Sequence, residues 1–338
     1  MDDKNLCRNN NYDLLRILAT LGVIFIHANF NYFENKYMYP QMTANYCIEC
    51  FINIATRYSV PCFIMMSGAF SLRNQRNSDP RYFYKKVLCK TILPAFLAET
   101  VFCLHDCCVA IIAKTSVLAP LKGLVYGSYA MWYLYMLCML YLLTPLLFVI
   151  KNSLDSKSYG LFSLFLLVWG VISQAVSSYK LPYTMGTVGA FLGYYILGDY
   201  LLNYFKCKVP ITCLSCVSIL MYLVMFVFRY NGFEYYTYVT YRTFFSPAVC
   251  VASVCVFLLF KELHIRTRLD SIAKLTFGVY VFHSIILKYV HLYVVNSFLG
   301  ISELYCICIE VLITALISLS VAFLYDKLCK RLWPVYHI

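Results

Sequence analysis

The stretch YDLLRILATLGVIFIHANF sets an acid, a guanidinium and an imidazole (Asp13, Arg16 and His27) into an otherwise apolar run. On an α-helix the step from Arg16 to His27 turns about 1100°, only about 20° away from the same face, and rises about 16 Å along the axis. Asp13 lies one turn before Arg16 and shares that face. Such a stripe can do specific chemistry. Imidazole titrates near pH 6.5, so His27 can take a proton from a hydroxyl at neutral pH. Arg16 can hold a phosphate or amide oxygen, with Asp13 orienting its planar fork. Two blander readings stand beside this one. Asp13 and Arg16 could pair simply to anchor a helix end at an interface, and His27 could be a hydrogen-bonded packing residue.

The elements that must carry these groups follow from composition. The chain has 338 residues, 62% hydrophobic, 18% aromatic and 13% charged, whereas soluble domains are about a quarter charged. That balance belongs in a bilayer. A hydrocarbon core about 30 Å thick needs roughly 20 apolar residues at 1.5 Å rise each. Ten such runs occur, at 12–30, 46–72, 87–113, 130–150, 159–177, 187–205, 210–228, 242–260, 275–293 and 304–325. Pro61 and Pro94 within the second and third predict kinked or broken helices. The expected fold is an all-α polytopic bundle of about ten transmembrane helices, one domain over residues 1–338. Extramembrane segments are short, so any chemistry must occur in the bundle or at its rims.

The net charge of +12 does not imply a nucleic-acid partner, because the basic residues fall between apolar runs of span length. With the N-terminus inside, the N-terminal segment through Arg16, the loop 73–90, the loops after spans four, six and eight, and the C-terminal tail hold 20 Lys and Arg; the alternating loops hold 7, and Arg57 falls within a span. That asymmetry predicts a multi-pass protein of the cell membrane with both termini cytoplasmic. The first eleven residues are polar and no small-residue cleavage pattern follows the first run, so no cleavable signal peptide is expected. The 13 Gly and 10 Pro, without a fixed period, exclude collagen-like, solenoid and disordered readings.

Placing Asp or Arg at the centre of a membrane helix costs roughly 2.5–3.5 kcal/mol, whereas a Leu or Ile returns about 0.3–0.6. Beyond the first span, Glu49, Arg57, Glu99, His105, Asp106, Asp199, His283 and Glu310 all fall in apolar runs. Pairing and water are the ways to hold them, which predicts a polar cavity inside the bundle. The 17 cysteines are mostly embedded in apolar stretches, as Cys250, Cys255, Cys306 and Cys308 are, and read as small buried hydrophobes. Cys47 and Cys50, or Cys103, His105, Cys107 and Cys108, carry zinc-type ligand atoms. Neither group has a second pair at structural-site spacing, and no metal is expected.

NYDLLRILATLGVIFIHA resembles the opening helix of the membrane acyltransferase 3 family, whose signature is an Arg followed by ten residues and a His, here Arg16 and His27. SVPCFIMMSGAFSL resembles the family's Val-Pro-x-Phe-x-x-x-Ser-Gly block, and YFYKKVLCKTILP its next basic block closing on proline. MWYLYMLCMLYLLTPLL resembles its Trp-Tyr helix, and LTFGVYVFHSII its late Tyr-x-x-His helix with Tyr280 and His283. Five blocks in order span the chain. One departure occurs: Val87 and Lys90 stand where the family often carries an Arg-x-x-Arg pair, with Lys85 and Lys86 beside them. Lysine meets a phosphate as a point charge, without the bidentate fork.

The resemblance implies an integral membrane O-acyltransferase. It would move an acetyl or other short acyl group from cytoplasmic acyl-coenzyme A, typically acetyl-CoA, to a hydroxyl of a surface polysaccharide or lipid-linked glycan. Such transfer needs a base, donors for the developing oxyanion and a cationic dock for the donor's phosphates. His27 is then the expected base, and Arg16 holds a phosphate or the pantetheine amide region, oriented by Asp13. Lys85, Lys86 and Lys90, with Arg73, Arg76 and Arg81, could attract the polyphosphate, or serve only to set topology. Ser67, Trp132, Tyr133, Tyr280 and His283 are the expected lining of a substrate cavity. Ser67 and Gly68 could equally serve helix packing, and Trp132 and Tyr133 the membrane interface. Direct transfer and an acyl-histidine intermediate both remain open. The competing function is a transporter or exporter of an envelope glycan, whose charged groups would form a pathway or proton relay. Membrane lipid and a carbohydrate or glycolipid acceptor are the expected partners.

Overall fold

The computed structural model describes residues 10–33, 43–126, 132–177, 183–206, 208–230, 244–298 and 301–332. Lys4, Arg8, Lys36, Lys180 and Arg242 of the loop-charge pattern lie outside them. All regular structure among the described residues is helical: α1 (Asn10–Phe33), α2 (Ala44–Ala55), α3 (Ser59–Ser71), α4 (Pro80–Val87), α5 (Leu93–Ile112), α6 (Leu118–Tyr126), α7 (Trp132–Ser153), α8 (Ser156–Ser177), α9 (Tyr183–Asn203), α10 (Ile211–Tyr230), α11 (Pro247–Glu262), α12 (Asp270–Ala273), α13 (Thr276–Ser297) and α14 (Glu303–Leu332), with short 3-10 and π segments between some of them. Each apolar run is mostly helical over its described residues. Among the described residues six helical stretches are long and apolar enough to cross a membrane: Asn10–Phe30, Pro80–Ile112, Trp132–Ser153, Ser156–Ser173, Thr276–Ser297 and Glu303–Arg331.

Local sequence explains the boundaries. The second apolar run breaks between α2 and α3, because Pro61 has no N–H to return to the carbonyl of Arg57. Side chains take over there. Thr56 donates to the carbonyls of Ile52 and Asn53, and Ser59 donates to that of Thr56. The third run is handled differently. Asp79 caps α4 and Pro80 occupies its first turn, so the helix begins well before residue 87. A π-helical turn over Leu88–Ile92, in which the Leu93 amide donates to the Leu88 carbonyl, then leads into Pro94. Lys85, Lys86 and Lys90 are therefore helix-borne rather than in a loop. Asp155 caps α8; the Ser158 hydroxyl, followed by the amides of Ser158 and Lys157, holds its carboxyl below the usual range.

α1 is the central element. It packs against α2, α3, α11, α12, α13 and α14, and its apolar window is 56% buried, against 28% for Pro80–Ile112 and for Glu303–Arg331. Its first turn is tied down by Asn11, whose side chain donates to the Leu263 carbonyl and accepts from the Ile265 amide. α3 and α9 approach more closely than side chains allow. A Cβ on Gly68 would overlap the Tyr195 carbonyl, and one on Gly198 the Met65 carbonyl. Small residues at such a crossing let two backbones meet, the usual route to tight packing where the surroundings are themselves apolar.

A buried ion pair clamps the same region. Lys151 on α7 lies 2.8 Å from Asp199 on α9 and donates to the Leu72 carbonyl at the end of α3 at 2.7 Å. Tyr159 on α8 and Asn203 also donate to the Asp199 carboxylate, at 3.0 and 2.7 Å. Three helices and the end of a fourth meet at this ion pair, the fourth through the Leu72 carbonyl on the Lys151 ammonium. Asp199, conspicuous in the sequence as an acid in an apolar run, is thus a structural anchor, and Lys151 its partner rather than a loop charge alone.

Candidate functional site

The helices around α1 bring groups from distant parts of the chain to one cavity of about 180 Å³. Arg16 enters from α1, Phe63 and Ser67 from α3, Tyr133 and Tyr141 from α7, and Thr276, Phe277 and Tyr280 from α13. The Arg16 side chain keeps 28% exposure and lies 3.6 Å from the Asp13 carboxylate, which is buried. Its guanidinium also stands 5.9 Å from the Phe70 ring. Pockets for drug-sized ligands run about 300–1,000 Å³. The cavity is therefore too small for a nucleotide but fits a narrow chain-like group or several waters. Gly68, next to Ser67, serves the α3–α9 contact instead, so the Ser-Gly pair divides between cavity wall and packing.

From this cavity a file of rings leads to His27. Tyr280 lies 5.1 Å from Tyr133 and 5.5 Å from His283, and His283 lies 5.2 Å from His27, between ring centroids. His283 is buried, while His27 is half-buried. The helical register seen in the sequence places Arg16 and His27 on one stripe; α13 packs against α1, with Tyr280 lining the same cavity as Arg16 and His283 beside His27.

Beyond His27 a polar network was not legible from residue spacing. Asn53 on α2 donates to Asn29 of α1 at 2.8 Å, and Arg57 donates to Asn53 at 2.7 Å and 3.2 Å. Asn29 stands two positions after His27, and Arg57 sits at the break between α2 and α3, the sole sequence signal being a charge stranded inside an apolar run.

Other expected site residues fall elsewhere. Trp132 is absent from the cavity wall; it stacks on Phe244 at 5.4 Å and packs against Phe191 at 6.0 Å. Lys85 is exposed, Lys86 donates to Asn77 at 3.1 Å, and Lys90 is half-buried. Their helix reaches the cavity through Phe83, whose ring meets that of Tyr141 edge-on at 5.9 Å. Glu99 and Asp106 line a second cavity, about 690 Å³, with Cys103, Thr115, Ser116 and Lys288. His105 bonds to Asp106 at 2.9 Å and to the Tyr289 hydroxyl, and Glu310 pairs with His291 at 2.8 Å. Among the described residues no group of three or more His, Cys, Asp and Glu is placed to hold a metal.

Comparison with known proteins bears on the chemistry. The family model described as an acyltransferase domain matches residues 9–324. No curated protein and no solved structure matches the chain.

Proposed function

This chain belongs to that acyltransferase family, and from this premise we propose that it transfers an acetyl or other short acyl group from acyl-coenzyme A to a hydroxyl of a cell-envelope carbohydrate or glycolipid. The observation that carries the proposal is the continuity from the Arg16 cavity, through Tyr280 and His283, to His27. A narrow thioester-bearing arm suits a cavity of about 180 Å³, with its amides or phosphate held by Arg16 and its nucleotide left outside, toward the basic α4 helix. His27 takes the proton of the acceptor hydroxyl as its oxygen attacks the thioester carbon. The carbon–sulfur bond then breaks and the proton passes to the departing thiolate. Arg57, held by Asn53, supplies positive charge near the developing oxyanion. The second cavity, whose carboxylates, hydroxyls and Lys288 suit a polyhydroxylated ligand, is assigned to the acceptor.

In the membrane the same reading takes all ten apolar runs as crossings, α2 and α3 forming one broken crossing, with both termini cytoplasmic. That topology sets Arg16 toward the cytoplasmic donor and His27 deeper in the bilayer.

The test is release of free thiol from acetyl-coenzyme A by the full chain purified in detergent, with and without envelope glycan. Acceptor-dependent release supports acyl transfer; glycan export by reconstituted vesicles without any thiol release supports a transporter instead. In the same assay Arg16→Lys keeps the charge but loses the planar fork. It should raise the donor KM, or lower turnover, by about 10- to 100-fold, the equivalent of one charge-assisted hydrogen bond.

A further inference from the structure

One buried group beside His27 makes and breaks no bond in the proposed transfer. His283 is 1% exposed, and its Nδ1 lies 2.5 Å from the carbonyl oxygen of Tyr280 on the same helix. A carbonyl only accepts, so Nδ1 carries the proton, and the neutral ring keeps its lone pair on Nε2. That nitrogen is buried and has no hydrogen-bond partner among the described residues. Buried polar atoms are nearly always satisfied, and an orphaned one calls for an explanation. The His27 ring lies beside that of His283, with centroids 5.2 Å apart and planes at 52°. An N–H···N bond of about 2.9 Å between two imidazoles spans about that distance, and catalytic contacts left loose in a free enzyme commonly tighten when substrate binds.

We infer that His283 is a positioning residue for His27, a role that rests on the proposed acyl transfer. The Tyr280 carbonyl selects the His283 tautomer, and the bare Nε2 accepts the N–H of His27. That bond leaves the lone pair of His27 on its other ring nitrogen, facing the acceptor hydroxyl. When His27 gains the hydroxyl proton it becomes an imidazolium, and His283 holds the N–H that faces it; the gained proton then leaves with the thiolate sulfur. His283 neither gains nor loses a proton through the cycle. The arrangement does with a backbone carbonyl and a second imidazole what a carboxylate does behind a catalytic histidine in the serine hydrolases.

The experiment compares His283→Gln, which offers an acceptor oxygen, with His283→Leu, which offers none, in the full chain assayed by thiol release. His283→Leu should lower kcat about 10- to 100-fold with the donor KM unchanged, and His283→Gln should stay within a few-fold of the unsubstituted protein. In a His27→Ala background, His283→Leu should cause no further loss, since the two residues act as one unit. Thermal unfolding reports folding for each variant. Full turnover in His283→Leu, additive losses, or lost turnover in a folded His283→Gln overturns the inference; the glutamine variant decides it even if the leucine variant fails to fold. Unimpaired turnover in His27→Ala alone would instead overturn the underlying assignment of His27.

Discussion

His27→Ala lowers acyl transfer by at least about 10²- to 10⁴-fold, the range that a positioned general base contributes, and leaves abundance and thermal unfolding close to those of the unsubstituted protein. The reason for the second half is geometric. His27 is half-buried, so an alanine there leaves no fully enclosed void of the kind that makes core truncations costly. The helix loses nothing, because alanine has the best intrinsic helix propensity. The measurement is thiol release from acetyl-coenzyme A in membranes containing equal amounts of each protein. Retained turnover removes His27 from the reaction. Lost turnover together with lost protein leaves His27 a packing residue, the blander of the two readings its sequence position allows.

Asp199→Ala acts on the fold. The substitution removes the ion pair with Lys151 and the acceptor used by Tyr159 and Asn203, and leaves the ammonium bonded to the Leu72 carbonyl in a position only 11% exposed. Removing one partner of a buried pair costs about 3–5 kcal/mol, mostly through the charge left behind. The expected result is a large fall in thermal unfolding temperature in detergent, with a smaller fall for Asp199→Asn, whose side-chain oxygen still accepts. Replacing both partners by apolar residues of similar volume should recover much of the loss. An unfolding temperature unchanged in Asp199→Ala would mean that the clamp contributes nothing. Asp199→Asn should retain turnover wherever it is folded, since the carboxylate touches neither cavity.

Much of this was legible in the residues themselves. Hydropathy alone pointed to an all-helical chain, because a bilayer leaves helix as the way for a spanning segment to satisfy its backbone without closing a barrel; among the described residues six helical stretches are long and apolar enough to cross, and the short helices α4, α6 and α12 left no such signal. The 3.6-residue repeat alone aligned Asp13, Arg16 and His27, because register along one rigid helix is a local property. Pro61 and Pro94 marked two perturbations, though not their form: one became a break capped by Thr56 and Ser59, the other a π turn. That choice depends on which neighbours can take up the freed carbonyls.

Contacts between helices were not legible. Nothing in the spacing of charges distinguished Asp199, which meets Lys151 and locks the fold, from Glu99, which lines a cavity. Nor did it separate Tyr133, on the cavity wall, from its neighbour Trp132, stacked on Phe244. Adjacent helical residues point about 100° apart, so which of the two faces the cavity is decided by the packing of α7 against α13 and α9. The same holds for the imidazole pair. Sequence determines that α1 carries His27 and α13 carries His283 among apolar neighbours; only the crossing of those two helices brings these rings within 5.2 Å, because side-chain proximity across hundreds of residues is a property of packing and not of any local period.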